Sequence, residues 1–349
     1  MKRIVSLLLT LVLSFCVFGA FADEGYEIAL ITDVGNIDDQ SFNQSSWEGV
    51  VQFAEAAGIS YAYYRPSEDS DEARLESIKA AIDRGAKTVV LPGYLFATSG
   101  ADAQAQFPDV NFILIDTEPS GGSLPNTYSI YYQEEQSGYF AGYAAVKDGY
   151  TNLGFLGGMA VPAVIRFGYG FVQGADAAAA ELGINVDIKY WYCDSFAPSD
   201  DIKTKMNGWY SEGVEVVFAC GGGIYLSAIA AAEEANAKVI GVDTDQAHVS
   251  DLIITSAVKQ LTNSVVLALE SLYANNGVWP EDMAGAVVNL GANEDCVGLP
   301  TVETSWRFNT FTVEEYTEVY EKVKSGEIVI SNSTDAAPAV TNATVDYQN

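Results

Sequence analysis

Histidine occurs once in this 349-residue chain, at His248. One histidine excludes most Ser-His-Asp arrangements and histidine-rich metal sites, which need that ring as base or ligand. It sits in a polar loop, "DQAHVSD", and reads as a solvated bystander. Cysteine is scarce as well: Cys16, Cys193, Cys220 and Cys296. Loss of the first would leave an odd number without tight spacing, which argues against a disulfide framework or a zinc site. Cys193 and Cys220 end apolar strands and read as buried thiols. Basic residues are few, 17 Lys and Arg against 47 Asp and Glu, for a formal net charge of −30. So negative a surface repels phosphate backbones, which excludes nucleic acid as a partner. Beyond the N-terminus, no apolar run is long enough to span a bilayer.

That N-terminus, "MKRIVSLLLTLVLSFCVFGAFA", has Lys2 and Arg3, then an apolar stretch, then Ala20-Phe21-Ala22. This is the layout of a secretory signal over residues 1–22 with a small-x-small cleavage site. "LSFC" also resembles a lipobox ending at Cys16, with Phe15 where a small residue is usual, so lipidation there is the alternative. Either route exports the protein, to the periplasm or to an anchor on the outer face of the cytoplasmic membrane. The remaining chain is about two domains long, and 49% apolar content is ample for two cores.

Strand-like and helix-like stretches alternate. "YEIALIT", "ISYAYYRP", "KTVVLP", "NFILIDTE" and "TYSIYY" are rich in β-branched or aromatic residues. Between them lie helical patterns such as "SWEGVVQFAEAAG", closed by a Gly suited to a helix end. The scheme restarts with "TNLGFLGG", "INVDIKYWYC", "VEVVFACGG", "KVIGVDTD" and "LIITSAV". The pattern implies an α/β fold of two successive units with parallel sheets. The polar tail, residues 331–349, reads as a loosely held extension.

Conspicuous residues fall where strands end: Asp33, Asp116, the run Cys220 to Gly223 that includes Gly222, and Asp243. In open parallel sheets those ends form the ligand crevice. An ionised Asp only accepts hydrogen bonds, so it needs donors such as sugar hydroxyls. The plainer role for a strand-end Asp is to cap the next helix or turn the loop. Asp38 and Asp39 fit that role at a helix N-terminus. Phe42 opens a helix and Phe196 lies in a polar loop, so two rings could clamp a flat heterocycle. Phe167 and Phe171, four apart on a helix, read as core. Lys259, ending an apolar strand in an acidic chain, is either a salt-bridge partner or a donor to ligand oxygens. A flat base plus a polyol is a nucleoside, and no basic group near the loop awaits a phosphate.

Together "ITDVGNIDDQSFNQSSWEG", "GGMAVPAV", "GFVQGA", "ACGGG", "GVDTDQ" and "ITSAVKQ" resemble the basic membrane protein family, over nearly the whole mature chain. These are substrate-binding proteins of ABC importers, and several members bind purine nucleosides. The resemblance implies a type I periplasmic-binding-protein fold, two Rossmann-like lobes joined by three crossovers. Its lobes would be residues 26–132 plus 260–277 and residues 133–259 plus 278–330. It implies a non-enzymatic, cofactor-free monomer whose partners are a nucleoside and a membrane permease. Asp33 and Asn43 would contact the ligand, Phe42 and Phe196 would sandwich the base, and Asp116, Asp243 and Lys259 would hold the ribose. Gly222 completes the set, and Asp243 against Asp245 stays open.

A sugar- or other small-solute-binding protein of the same fold is the alternative, since sugars also stack on aromatic rings. A calcium-dependent nucleoside hydrolase is the rival of another class, because "TDVGNIDD" approaches its D-x-D-x-G-x-D-D run. Thr32 replaces an acid there and the spacing from Gly35 to Asp38 is one residue too long for oxygens that must converge on one ion.

Overall fold

Ile28–Ile31 is apolar and buried at every position, as is Val216–Cys220. Strands covered on both faces read this way, and they belong to parallel sheets flanked by helices. The computed structural model describes residues 25–348 and bears this out. The leader and Cys16 lie outside the described residues.

In the first lobe β1 (Ile28–Ile31), β2 (Tyr61–Tyr64), β3 (Thr88–Pro92), β4 (Asn111–Ile115) and β5 (Thr127–Tyr132) alternate with α1 (Phe42–Ala57), α2 (Asp71–Asp83) and α3 (Ala97–Gln106). The chain then crosses to α4 (Glu134–Lys147), β6 (Asn152–Gly157), α5 (Pro162–Leu182), β7 (Val186–Tyr192), α6 (Asp200–Ser211), β8 (Val216–Cys220), α7 (Tyr225–Ala235), β9 (Lys238–Asp243) and β10 (Ile253–Lys259). It returns through α8 (Leu261–Ala274), which packs on α1, and β11 (Val287–Leu290). A third crossover leads to β12 (Val297–Gly298), α9 (Val313–Lys324) and β13 (Ala343–Gln348). The sheets run β11-β5-β4-β3-β1-β2 and β12-β10-β9-β8-β6-β7-β13, parallel except where β12 meets β10. Gly58 ends α1 at φ 68, a left-handed conformation that glycine adopts without a Cβ clash.

Two expectations are corrected. Residues 278–330 do not all join the second lobe, because β11 pairs with β5 in the first sheet. That strand is four residues long and half-exposed, so its apolar pattern is weak and the open edge of β5 decides its place. Nor is the tail loose, since β13 runs parallel to β7 at the edge of the second sheet. Asp176 Oδ1 accepts the backbone N–H groups of Thr341, Asn342 and Ala343 at 2.9, 2.6 and 2.9 Å. The Trp209 indole donates to Gln348 Oε1 at 3.0 Å. Backbone pairing and one carboxylate anchor this segment, where a count of large apolar residues shows little.

Glycines set how closely α4 and α5 approach. A Cβ on Gly138 or Gly142 would lie 2.0 or 2.1 Å from the carbonyl oxygen of Phe167 or Phe171. Gly170 and Gly174 meet the Glu135 and Tyr139 carbonyls in the same way. Backbone-to-backbone packing of this kind fixes the start of α5, and with it Arg166 and Phe167. Cys220 is buried as expected, whereas Cys193, one residue beyond β7, is only partly so.

Candidate functional site

The lobes meet over a cavity of about 630 Å³, counted together with its opening to solvent. All eight candidate residues line it: Asp33, Phe42, Asn43 and Asp116 from the first lobe, and Phe196, Gly222, Asp243 and Lys259 from the second. Strand ends deliver most of them, as expected of a parallel sheet.

Asp33 follows β1 in the loop that leads to α1. Its Oδ1 accepts the Gly35 N–H at 2.7 Å and Asn43 Nδ2 at 3.0 Å. Asn43 Nδ2 also donates to Asp39 at 3.1 Å, and Asn43 Oδ1 accepts the Asp33 N–H at 3.4 Å. The amide of Asn43 is therefore engaged within the loop and acts on the cavity chiefly by positioning Asp33. Asp39 accepts the backbone N–H groups of Ser41, Asn43 and Gln44, capping α1, while Asp38 is exposed. Burial raises the Asp33 carboxyl against its hydrogen bonds, and raises Asp39 to about 6. The acidic run thus builds a helix start. No group of three or more His, Cys, Asp or Glu side chains suited to a metal ion occurs among the described residues.

Asp116 and Asp243 stand just past β4 and at the end of β9, both left-handed, with φ 60 and 66. Asp is one of the few residues that tolerate this conformation, which turns each side chain into the cleft. Between them lies Lys259, its side chain 1% exposed. Its Nζ is 2.6 Å from Asp116 Oδ2, 3.6 Å from Glu134 Oε1 and 3.7 Å from Asp243 Oδ1. Only the first is a hydrogen bond, so two of the three ammonium protons remain available. Asp116 Oδ1 is buried without a partner. Asp243 Oδ2 accepts the Ser41 hydroxyl across the cleft at 2.6 Å. Burial raises Asp116 to about 7, with Lys259 opposing and Glu134 assisting. For Lys259, burial disfavours the charge, but Asp116, Asp243 and Glu134 together hold it above the ordinary lysine range. Asp245 is differently placed: Oδ1 accepts the Ala247 N–H and Oδ2 the Ser305 hydroxyl, outside the cavity lining.

Phe196 lies against glycine backbone. A Cβ on Gly158 would come within 2.5 Å of its ring, one on Gly221 within 3.0 Å, and one on Gly222 within 2.9 Å of its carbonyl oxygen. "LGG" and "CGGG" are therefore the bed of this ring. Phe42 faces the Lys259 ammonium with its centroid 4.7 Å away, and Tyr132 and Phe167 stand at 5.3 and 5.6 Å. Phe167 is both core and cavity wall, beside Val161 and Val164 at the start of α5. Sequence reasoning missed that dual role, and missed Glu134, Ser41 and Tyr94. Helical spacing alone cannot say that a buried ring also faces a void. Glu134 Oε2 takes the Arg166 Nε–H at 2.6 Å, while its Oε1 has no hydrogen-bond partner.

Two largely parallel sheets, three crossovers and a cavity at facing strand ends define the periplasmic-binding-protein type of fold. A solute-binding protein of an ABC transporter system from Aeropyrum pernix K1 shares the fold, with TM-score 0.76 and 22% identity over 88% of this chain and 94% of that one. The chain belongs to the basic membrane protein family of PnrA-like ABC transporter substrate-binding proteins, matched over residues 27–334. It is 30% identical over 256 residues to "ABC transporter nucleoside-binding protein BmpA" of Lactococcus lactis, covering 67% of this chain and 71% of that protein. It is 28% identical to "Basic membrane protein A" of Borreliella burgdorferi, over 91% of each. Such a protein works outside the cytoplasmic membrane and delivers its solute to a membrane permease. No helix among the described residues is long and apolar enough to cross a membrane.

Proposed function

We propose that the cavity captures a nucleoside, with a purine the best fit, for import. The observation that carries this reading is the Asp116–Lys259–Asp243 group, which has unpartnered acceptor and donor capacity, beside two rings from opposite lobes. A vicinal diol matches it, since each hydroxyl can accept from the ammonium and donate to a carboxylate. Phe42 and Phe196 would take the faces of the base, and the free oxygen of Asp33 would accept a base N–H. Lys259 is the one cation among the lining residues, already surrounded by carboxylates, so a nucleotide's phosphate would be repelled. The name of the Lactococcus lactis relative supports the same ligand class.

Capture occurs without chemistry. His248 lies outside the lining, and burial pushes the Cys220 thiol well up, away from a reactive thiolate. The protein acts as a monomer, exported by its leader with cleavage after Ala22 or lipidation at Cys16. A thermal-shift panel of nucleosides, free bases, nucleotides and sugars tests the ligand, because a solute selective for the native state raises its apparent stability. Nucleosides should shift the transition and nucleotides should not. A shift by sugars alone would overturn the reading, and release of free base over many turnovers would make the protein an enzyme.

The glycine bed supplies a sharper check. Gly158→Ala places a methyl where the Phe196 ring lies, so the ring must move from the base. Calorimetry should show a loss of about 1–3 kcal/mol in nucleoside affinity, the worth of one stacked face. An unchanged affinity would remove Phe196 from the site.

A further inference from the structure

Outside the cavity, the loop that leads into α1 also touches the second lobe. The Gln40 carbonyl accepts Gln246 Nε2–H at 2.9 Å, and Gln40 Oε1 lies 2.5 Å from His248 Nε2. With Ser41–Asp243 these contacts form a row leading from the cavity to the surface. Gln246 is fully buried and rigidly held: its Oε1 accepts the Val242 N–H at 3.0 Å, and its own N–H donates to Ser256 Oγ at 3.1 Å. The His248 ring is fixed from its other side, with Nδ1 3.1 Å from the Asp245 carbonyl. Gln40 itself is left-handed, at φ 53, a conformation that costs a non-glycine residue energy unless its surroundings hold it. None of Gln40, Gln246 and His248 lines the cavity.

We propose that Gln40, Gln246 and His248 form a latch that sets the lifetime of the closed state, so that groups which never touch the solute govern its release. These bonds join segments 206 and 208 residues apart in sequence and on different lobes. Opening the cleft must break them, and closing it makes them, whatever solute lies within. They form after the solute has entered, so they act on the dissociation rate and leave the association rate alone. The latch depends on lobe closure, which any solute reading shares, and not on the nucleoside.

The test compares wild type with Gln40→Gly, His248→Ala and the double variant. Gln40→Gly suits the left-handed backbone and keeps the carbonyl that Gln246 uses, so folding is preserved. Release of inosine and of guanosine is followed by stopped-flow tryptophan fluorescence. Each single variant should release both about threefold to tenfold faster, the loss of one hydrogen bond, with association unchanged. The double variant should be no faster than the quicker single, because both remove the same bond, and His248→Gln, whose amide can both donate and accept, should restore slow release. Unchanged release overturns the latch. So does an effect that differs between the two nucleosides, which would put these side chains on the solute. Should neither nucleoside bind, the nucleoside reading falls, and the latch is read from scattering of the ligand-free protein. There Gln40→Gly should enlarge the radius of gyration, and an unchanged radius overturns the latch.

Discussion

Replacing Lys259 by methionine should abolish solute capture and cost the fold about 3–5 kcal/mol near neutral pH, the usual penalty for removing one partner of a buried charge group. The ammonium lies within 3.7 Å of Asp116, Asp243 and Glu134, all almost wholly inaccessible to water. Without it, Arg166 alone would face those carboxylates, and it reaches only Glu134. The carboxyls would then escape the repulsion by taking up protons, as like charges sharing a dry site do. The sign of the pH dependence follows. Asp116 is already raised from 3.8 to about 7 in the native protein, and loss of the cation raises it further. A group with a higher pKa folded than unfolded binds more protons in the folded state, so stability falls as pH rises between the two values. For Asp116 the gap between wild type and Lys259→Met should therefore widen as pH rises above about 7 and stay level below it, where that carboxyl is protonated in both folded proteins. Urea denaturation at several pH values reads this directly. A gap independent of pH would mean that packing, and not charge, holds the floor of the cleft together.

The lobes were legible because buried parallel strands write themselves as apolar runs, and because each conspicuous polar residue interrupts such a run at its end. Asp116 after "FILI" and Asp243 after "VIGV" needed no partner to be noticed. What stayed hidden depends on contacts between distant segments. Glu134 looks like an ordinary acid in the first turn of a helix until β5 and β10 bring it beside Lys259. His248 reads as solvated, and it is exposed, yet its ring reaches Gln40 on the other lobe. Asn43 carries the family's motif, but its amide serves the loop that holds Asp33. The glycines of "SGYFAG" and "GYGFVQG" gave a signal that was there to use, since small residues four apart on two helices mark close packing. The order in β13 had no such signal, because its anchor is one carboxylate, Asp176, 165 to 167 residues away.

On the proposed nucleoside reading, the Asp116–Lys259–Asp243 end of the site should discriminate most strongly. Wild-type protein should bind a ribonucleoside up to ~10⁴-fold more tightly than its 2′,3′-dideoxy analogue, because a site built to hydrogen-bond hydroxyls leaves buried polar groups unpaired when they are missing. Asp116 Oδ1 already lacks a partner and is ready to accept such a hydroxyl. Asp116→Asn should weaken the ribonucleoside and shrink the ratio, since an amide can donate where the carboxylate only accepts. Phe42→Ala should cost about 1–3 kcal/mol for both ligands alike and leave the ratio intact. Acid should act on the same ratio. With Asp116 raised to about 7, the proton occupies the acceptor as pH falls below that value. Ribonucleoside affinity should then drop by up to about tenfold per pH unit, while dideoxynucleoside affinity, which never used the carboxylate, stays level or improves. Calorimetry of the three proteins against both ligands, from pH 5 to pH 8, separates base from ribose recognition. If Asp116→Asn weakens both ligands equally and the ratio ignores pH, the Asp116–Lys259–Asp243 group serves the hinge and the sugar is read elsewhere.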